Sequence, residues 1–188
     1  MSRARAAPDR RPELLRLLLR TQKLSLALVL WAIVATPSLA DNLVGGGSQA
    51  PGAEARLARE ERTLLDLING YRQSHGLAAL AWNDRLAEAA AAHNDAMARG
   101  GYFAHCSPGG ACLPARLGAA GYRFRSAAEN LAAGQRSPRT VLRAWQGSPG
   151  HDENLLAPAM TEAGIDADPR EIRGARRLWT LVLARPAD

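Results

Sequence analysis

The chain is poor in two residue types. It has a single lysine, Lys23, and two cysteines, Cys106 and Cys112, among 188 residues. No cysteine follows the N-terminal apolar run until Cys106, which excludes a lipid-modified N-terminal cysteine. The longest apolar run, Leu24 to Ala35, has 12 residues and falls short of the roughly 20 that a membrane span needs. There are no internal repeats, no G-x-S-x-G elbow and no helix-borne HExxH pair, so the familiar signatures of a serine hydrolase or a zinc protease are missing. No run of three or more consecutive arginines occurs either. The net charge of +6 and pI near 10.3 come mostly from the N-terminus: residues 1–40 hold seven of the 24 basic and two of the 18 acidic residues. The remainder carries 17 basic against 16 acidic residues, so nothing draws it toward phosphate and nucleic acid is excluded as a partner. With 47% hydrophobic and 22% charged residues, the chain has enough apolar content for one core.

What is present at the N-terminus is a secretory layout. A basic stretch precedes LSLALVLWAIVA, and Thr36-Pro37-Ser38-Leu39-Ala40 places small side chains at Ser38 and Ala40, as a cleavage pocket requires. Residues 1–40 therefore read as a signal peptide with Asp41 as the first mature residue, and an uncleaved anchor is the alternative. Export places the product in the medium or periplasm, with no stable membrane span after cleavage. There, Cys106 and Cys112 read as one local disulfide, because Pro108, Gly109 and Gly110 let the backbone double back between them. Thiolates joining a histidine on a metal would need a reducing compartment.

Residues 41–55, with Gly45-Gly46-Gly47-Ser48 and Pro51-Gly52, read as a flexible linker, and residues 56–188 as the folded domain. Leu57, Leu64, Ile68 and Tyr71 share one helical stripe, which Gly76 ends. Asn83 is an N-cap for a second helix whose stripe runs through Leu86, Ala90, His93 and Met97 to Gly100-Gly101. A short helix is expected over Pro114 to Ala120. Ser137-Pro138 and Ser148-Pro149 each open another helix, the second running through His151 and Leu155. Ala163, Ile165 and Ala167 alternate as in a half-buried strand, and LWTLVL over 178–183 reads as a strand covered on both faces. Helices early and strands late give an α+β fold, a small sheet flanked by helices. His93 and Trp82, Trp145 and Trp179 are assigned to the core, and His75 to a solvated helix end.

In order along the chain, Leu65-Leu67-Ile68-Asn69-Tyr71-Arg72, Gly76-Leu77-Leu80-Trp82-Asn83, Met97-Gly101-Phe103-Ala104-His105, Gly121-Tyr122, Ala128-Glu129-Asn130-Leu131 and Trp145 to His151 with Asn154-Leu155-Leu156 form a pattern, closed by Gly164 and Trp179-Thr180. It resembles the CAP superfamily (cysteine-rich secretory proteins, insect venom allergen 5 and plant pathogenesis-related class 1 proteins), in its compact bacterial branch, over about Glu61 to Pro186. The resemblance implies an α-β-α sandwich with a cleft where two histidines and acidic residues converge and can hold a divalent metal such as zinc. Carried over residue by residue, that site is His105, Glu129 and His151, with Ser148 and Asn130 beside the cleft. The larger eukaryotic members carry a second glutamate three residues after the tryptophan; Ser148 stands there in this chain. Ala104 stands where many relatives have serine.

Two imidazoles and a carboxylate are a ligand set for zinc, with the carboxylate acting either as third ligand or as the group that orients an imidazole. The lack of a second carboxylate favours a binding module over acid-base catalysis, which works best with one group to deliver a proton and another to accept it. The expected function is thus an exported binding module whose His/Glu cleft takes a divalent metal, a lipid or small apolar ligand, or an envelope component. The alternative is a metal-assisted hydrolase acting outside the cytoplasm. Pairing Ser148 or Ser107 with a histidine and Glu129 is a weaker third arrangement, since Ser148-Pro149 is accounted for as a helix cap. The sequence sets no oligomeric state.

Overall fold

The structure, a computed structural model, describes residues 51–188; the leader, its cleavage site and all but the end of the expected linker lie outside the described residues. The elements run α1 (Pro51–Ser74), β1 (Ala81–Trp82), α2 (Asp84–Gly100), α3 (Leu113–Ala119), β2 (Phe124–Ala133), α4 (Pro138–Gln146), α5 (Pro149–Leu155), β3 (Glu162–Ile172) and β4 (Ala175–Pro186). Among the described residues no helix is long and apolar enough to cross a membrane.

The sheet has the order β1-β3-β4-β2, with β1 parallel to β3 and the other pairs antiparallel. Strand alternation divides β4 between two cores. Trp179, Leu181 and Leu183 join Leu64, Ile68, Val141, Trp145 and Leu155 under α1, α4 and α5. Val182 and Ala184 join Leu86, Ala90 and Leu117 under α2 and α3. The result is a helix-sheet-helix sandwich, and β4, apolar on both faces, is buried from Leu178 to Ala184.

The local signals act as expected at several boundaries. The Asn83 side chain accepts from the backbone N–H groups of Arg85 and Leu86 to cap α2, and Gly101, at φ 63°, ends it in the left-handed region. Ser137 and Thr140 form a reciprocal capping box at α4. Three expectations need correction. The first helix begins at Pro51, inside the stretch read as linker, because proline suits a helix's first turn, where an N–H has no partner anyway. Ser148 holds the N-cap position of α5, yet its side chain makes no capping hydrogen bond. The early part of β3 is buried on both faces rather than one, since Gly164 lies directly under α2.

Candidate functional site

Among the described residues β2 is an edge strand, paired with β4 alone, and its adjacent residues Glu129 and Asn130 face opposite layers. Glu129 lies opposite Val182 and faces α2 and α3. Its carboxylate, 3% exposed, has both oxygens engaged: Oε1 with His105 Nδ1 at 2.9 Å, and Oε2 with Arg116. His93 from α2 stands below, its Nε2 3.8 Å from the same Oε1 and 3.0 Å from the Ala104 carbonyl. Burial holds the His93 pKa below the ordinary histidine value, the Glu129 charge opposing the effect.

Asn130 faces the other layer. Its amide donates to the His151 carbonyl at 3.0 Å and its Oδ1 accepts from Asn154 at 2.8 Å, which seats α5 against the sheet edge. Asn154 also donates to the outward-facing carbonyl of Glu129, and the Trp145 indole donates to that of Leu131 at 3.1 Å, so side chains of α4 and α5 cover the edge of β2. From α1, Tyr71 donates to Asp152 at 2.8 Å. The buried Arg72 guanidinium donates to the carbonyls of Leu155, Ala157 and Met160. These bonds fix α5 and with it His151, which is half-buried. Its pKa is lowered first by burial and then by the nearby charge of His105.

His105 and His151 thus stand on opposite faces of the sheet on either side of β2, near enough for the charge of His105 to act on the His151 ring. The loop that follows His105 directly is closed by a disulfide between Cys106 and Cys112. Arg116 is a participant that sequence reasoning missed; on a short helix flanked by proline and glycine, an arginine reads as a solvated charge. His93 was assigned to the core, and it is buried, but it also contacts Glu129. Ser107 accepts from the Ala111 N–H, and among the described residues neither Ser107 nor Ser148 is hydrogen-bonded to a histidine. Of the expected core tryptophans, Trp145 and Trp179 are fully buried, whereas Trp82 is half-buried beneath the Arg62 guanidinium, 3.7 Å from its ring centroid.

Among the described residues, no three His, Cys, Asp or Glu side chains are grouped to hold a metal ion. At this site both oxygens of Glu129 already serve His105 and Arg116. With Nδ1 of His105 committed to that carboxylate, the donors left are its Nε2 and the ring of His151. Two neutral imidazoles suit a zinc-class cation that completes its shell with water or ligand, and a carboxylate behind a ligating imidazole is the usual supporting group.

The sequence model of the cysteine-rich secretory protein family (CAP) matches residues 65–171, and the chain belongs to this family. The Bacillus subtilis protein YkwD, uncharacterized, is 33% identical over 113 residues, 60% of this chain and 44% of its own length. YlbC, an uncharacterized membrane protein of the same organism, is 35% identical over 108 residues, 57% of this chain and 31% of its own. The chain thus spans less than half the length of these curated relatives. Among solved structures, an extracellular protein containing an SCP domain from Bacillus anthracis superposes with a TM-score of 0.64 at 29% identity, covering 74% of this chain and 45% of that one. A cysteine-rich secretory protein from Staphylococcus aureus, at a TM-score of 0.55 and 20% identity over 69% of this chain and 40% of that one, shares the fold.

Proposed function

We propose that this protein is an extracytoplasmic binding module whose ligand site straddles the edge of β2, with His105 and His151 as the contacting groups and Glu129 as the group that orients His105. The observation that carries this reading is the 2.9 Å contact between Glu129 and Nδ1 of His105, which leaves Nε2 free at a solvent-reached position. A divalent cation of the zinc class is the first ligand to test; when bound, it would supply a Lewis-acidic point for an oxygen or nitrogen ligand from the cell envelope. The leader-like N-terminus, the disulfide and the likeness to the extracellular Bacillus anthracis protein support a place outside the cytoplasm.

The hydrolase alternative loses ground on the same geometry, because the carboxylate of Glu129 is paired with Arg116 and Ser148 stands where a second one would be. A cavity of about 500 Å³ lies between the start of α1, α2 and β3. It is lined by Glu54, Asp95, Asp166 and Asp168 beside Leu57 and Arg170, a wall suited to a polar occupant rather than a lipid tail. The test is thermal melting of the oxidised protein with and without zinc. Zinc at a hundredfold excess over its Kd should stabilise the parent by about 2.7 kcal/mol. His105→Ala and His151→Ala should each abolish that response while still folding, whereas His93→Ala should destabilise the apo protein by opening a cavity. A full zinc response in both site variants refutes the assignment, and native mass spectrometry of the exported protein reads out any retained organic ligand.

A further inference from the structure

Arg116 sits one turn into α3, four residues after Cys112, the half-cystine that begins the helix. Its two terminal nitrogens do different work. Nη2 pairs with Glu129 Oε2, while Nη1 donates to the His105 carbonyl at 3.1 Å and to the Ala111 carbonyl at 3.4 Å. The same guanidinium therefore holds the backbone of His105, the residue just before the disulfide-closed loop, and the carboxylate that grips the His105 ring. We propose that Arg116 is the positioning residue of this site, fixing both where His105 sits and which ring nitrogen it presents. The inference rests on the reading of His105 as a ligand-contacting group.

Three observations support it. The His105 side chain is 58% exposed, so packing does not immobilise the ring; its backbone anchor and its Nδ1 contact have to do so. An ionised carboxylate only accepts hydrogen bonds, so a Glu129 carboxylate that accepts from Arg116 and meets a neutral His105 requires the imidazole proton to lie on Nδ1, turning the Nε2 lone pair outward. Finally, Nε of Arg116 is buried with no hydrogen-bond partner among the described residues. A buried donor left unpaired opposes stability, and its presence fits an orientation set by what the two terminal nitrogens must reach. Lysine cannot replace this arrangement. Its ammonium is a single point of charge that can meet the carboxylate or the loop carbonyls, while the planar fork spans both.

The experiment reads the tautomer of His105 by long-range proton–nitrogen correlation NMR on the metal-free, oxidised protein, and then titrates zinc. The parent should show the Nδ1–H form. Arg116→Lys should keep the fold but give a mixture of tautomers and weaken zinc about 10- to 100-fold, as loss of a supporting group around a metal ligand does. Should Arg116→Lys fail to fold, Arg116→Gln keeps Glu129 in place with one planar amide that cannot reach both the carboxylate and the loop carbonyls, and it should fold with the tautomer preference lost. An unchanged tautomer and zinc affinity in a folded variant overturns the proposal. If the parent shows the Arg116-dependent tautomer but no zinc response, the positioning role stands and the metal-binding reading fails. If it binds zinc with a tautomer indifferent to Arg116, the reverse holds.

Discussion

Gly164 lies directly beneath α2, and a single methyl group there tests the packing that carries His93 to the site. An ideal Cβ at Gly164 would lie 2.0 Å from the Ala87 nitrogen, 2.3 Å from the Leu86 carbonyl carbon and 2.6 Å from Leu86 Cβ. Two of these are helix backbone atoms, which cannot rotate aside. Restoring an ordinary contact requires α2 to withdraw by about 1.5 Å, and a gap of that size forfeits roughly half or more of the dispersion energy of the facing atoms. Leu86 and Ala90 would lift from Val182. Asn94, which donates to the Asp166 carboxylate at 2.7 Å and accepts from Thr180 at 2.7 Å, would lose buried hydrogen bonds. The cost belongs at or above the top of the overpacking range, about 3 kcal/mol. For a domain of this size that corresponds to a fall in Tm of roughly 10 °C. Urea unfolding and melting of the oxidised protein measure it. Gly70→Ala is the control, on an exposed position of α1 with open space at its Cβ, and should stabilise by about 0.5 to 1 kcal/mol. A Gly164→Ala protein within 1 kcal/mol of the parent would refute the claim that α2 is seated directly on this strand.

The disulfide closes a short loop, so replacing Cys106 and Cys112 together by serine should cost about 2 to 3 kcal/mol, and thiol titration of the denatured, unreduced parent should find no free thiol. His93 sets a pH dependence: burial lowers its folded-state pKa, so below about pH 6.5 the unfolded chain binds a proton that the folded chain refuses. The stability this confers is complete above the ordinary histidine range and is lost as pH falls toward the lowered value. The half-buried carboxyls of Asp166 and Glu61, with pKa values raised first by desolvation, act in the opposite sense at lower pH, so the informative quantity is the difference in urea midpoint between the parent and His93→Gln at pH 7.5 and pH 5. The gap between parent and variant should shift against the parent at pH 5; a constant gap refutes it. N-terminal sequencing of exported protein should begin at Asp41, and an intact Met1 form in the membrane fraction would support the anchor instead.

The helices of this domain were legible because their signals are local. Asn83 and Gly101 bracket an apolar stripe that needs no knowledge of the rest of the chain, and Ser137-Pro138 announces α4 in two residues. β2 was not legible. FRSAAENLAA has no β-branched residue, four alanines that favour helix, and no clean alternation, so its conformation comes from pairing with β4 along almost its whole length. A two-residue β1 offers no periodicity at all. The site shows the same division. His105, Glu129 and His151 were reached through resemblance to a family, because separations of 24 and 22 positions carry no spacing information. Arg116 was not found, because its partners lie 13 residues ahead on a strand that the sequence did not announce and in a loop behind it.

The register of that strand decides whether a site exists. Glu129 faces α3 and Asn130 faces α5 only because Glu129 pairs with Val182 and Asn130 with Leu181; a slip of one residue would turn the carboxylate toward α5 and the amide toward Arg116. An alanine-rich edge strand has little side-chain bulk to resist such a slip, so the register must be held from outside. Leu131 does this on one face, packed with Met97, Tyr102 and Leu178. At the open edge, the Trp145 indole takes the Leu131 carbonyl and Asn154 takes the Glu129 carbonyl, two bonds spaced two residues apart that a one-residue shift would break together. The helices that bring His151 to the edge of the sheet are thus the same ones that keep Glu129 aimed at His105 from the opposite face.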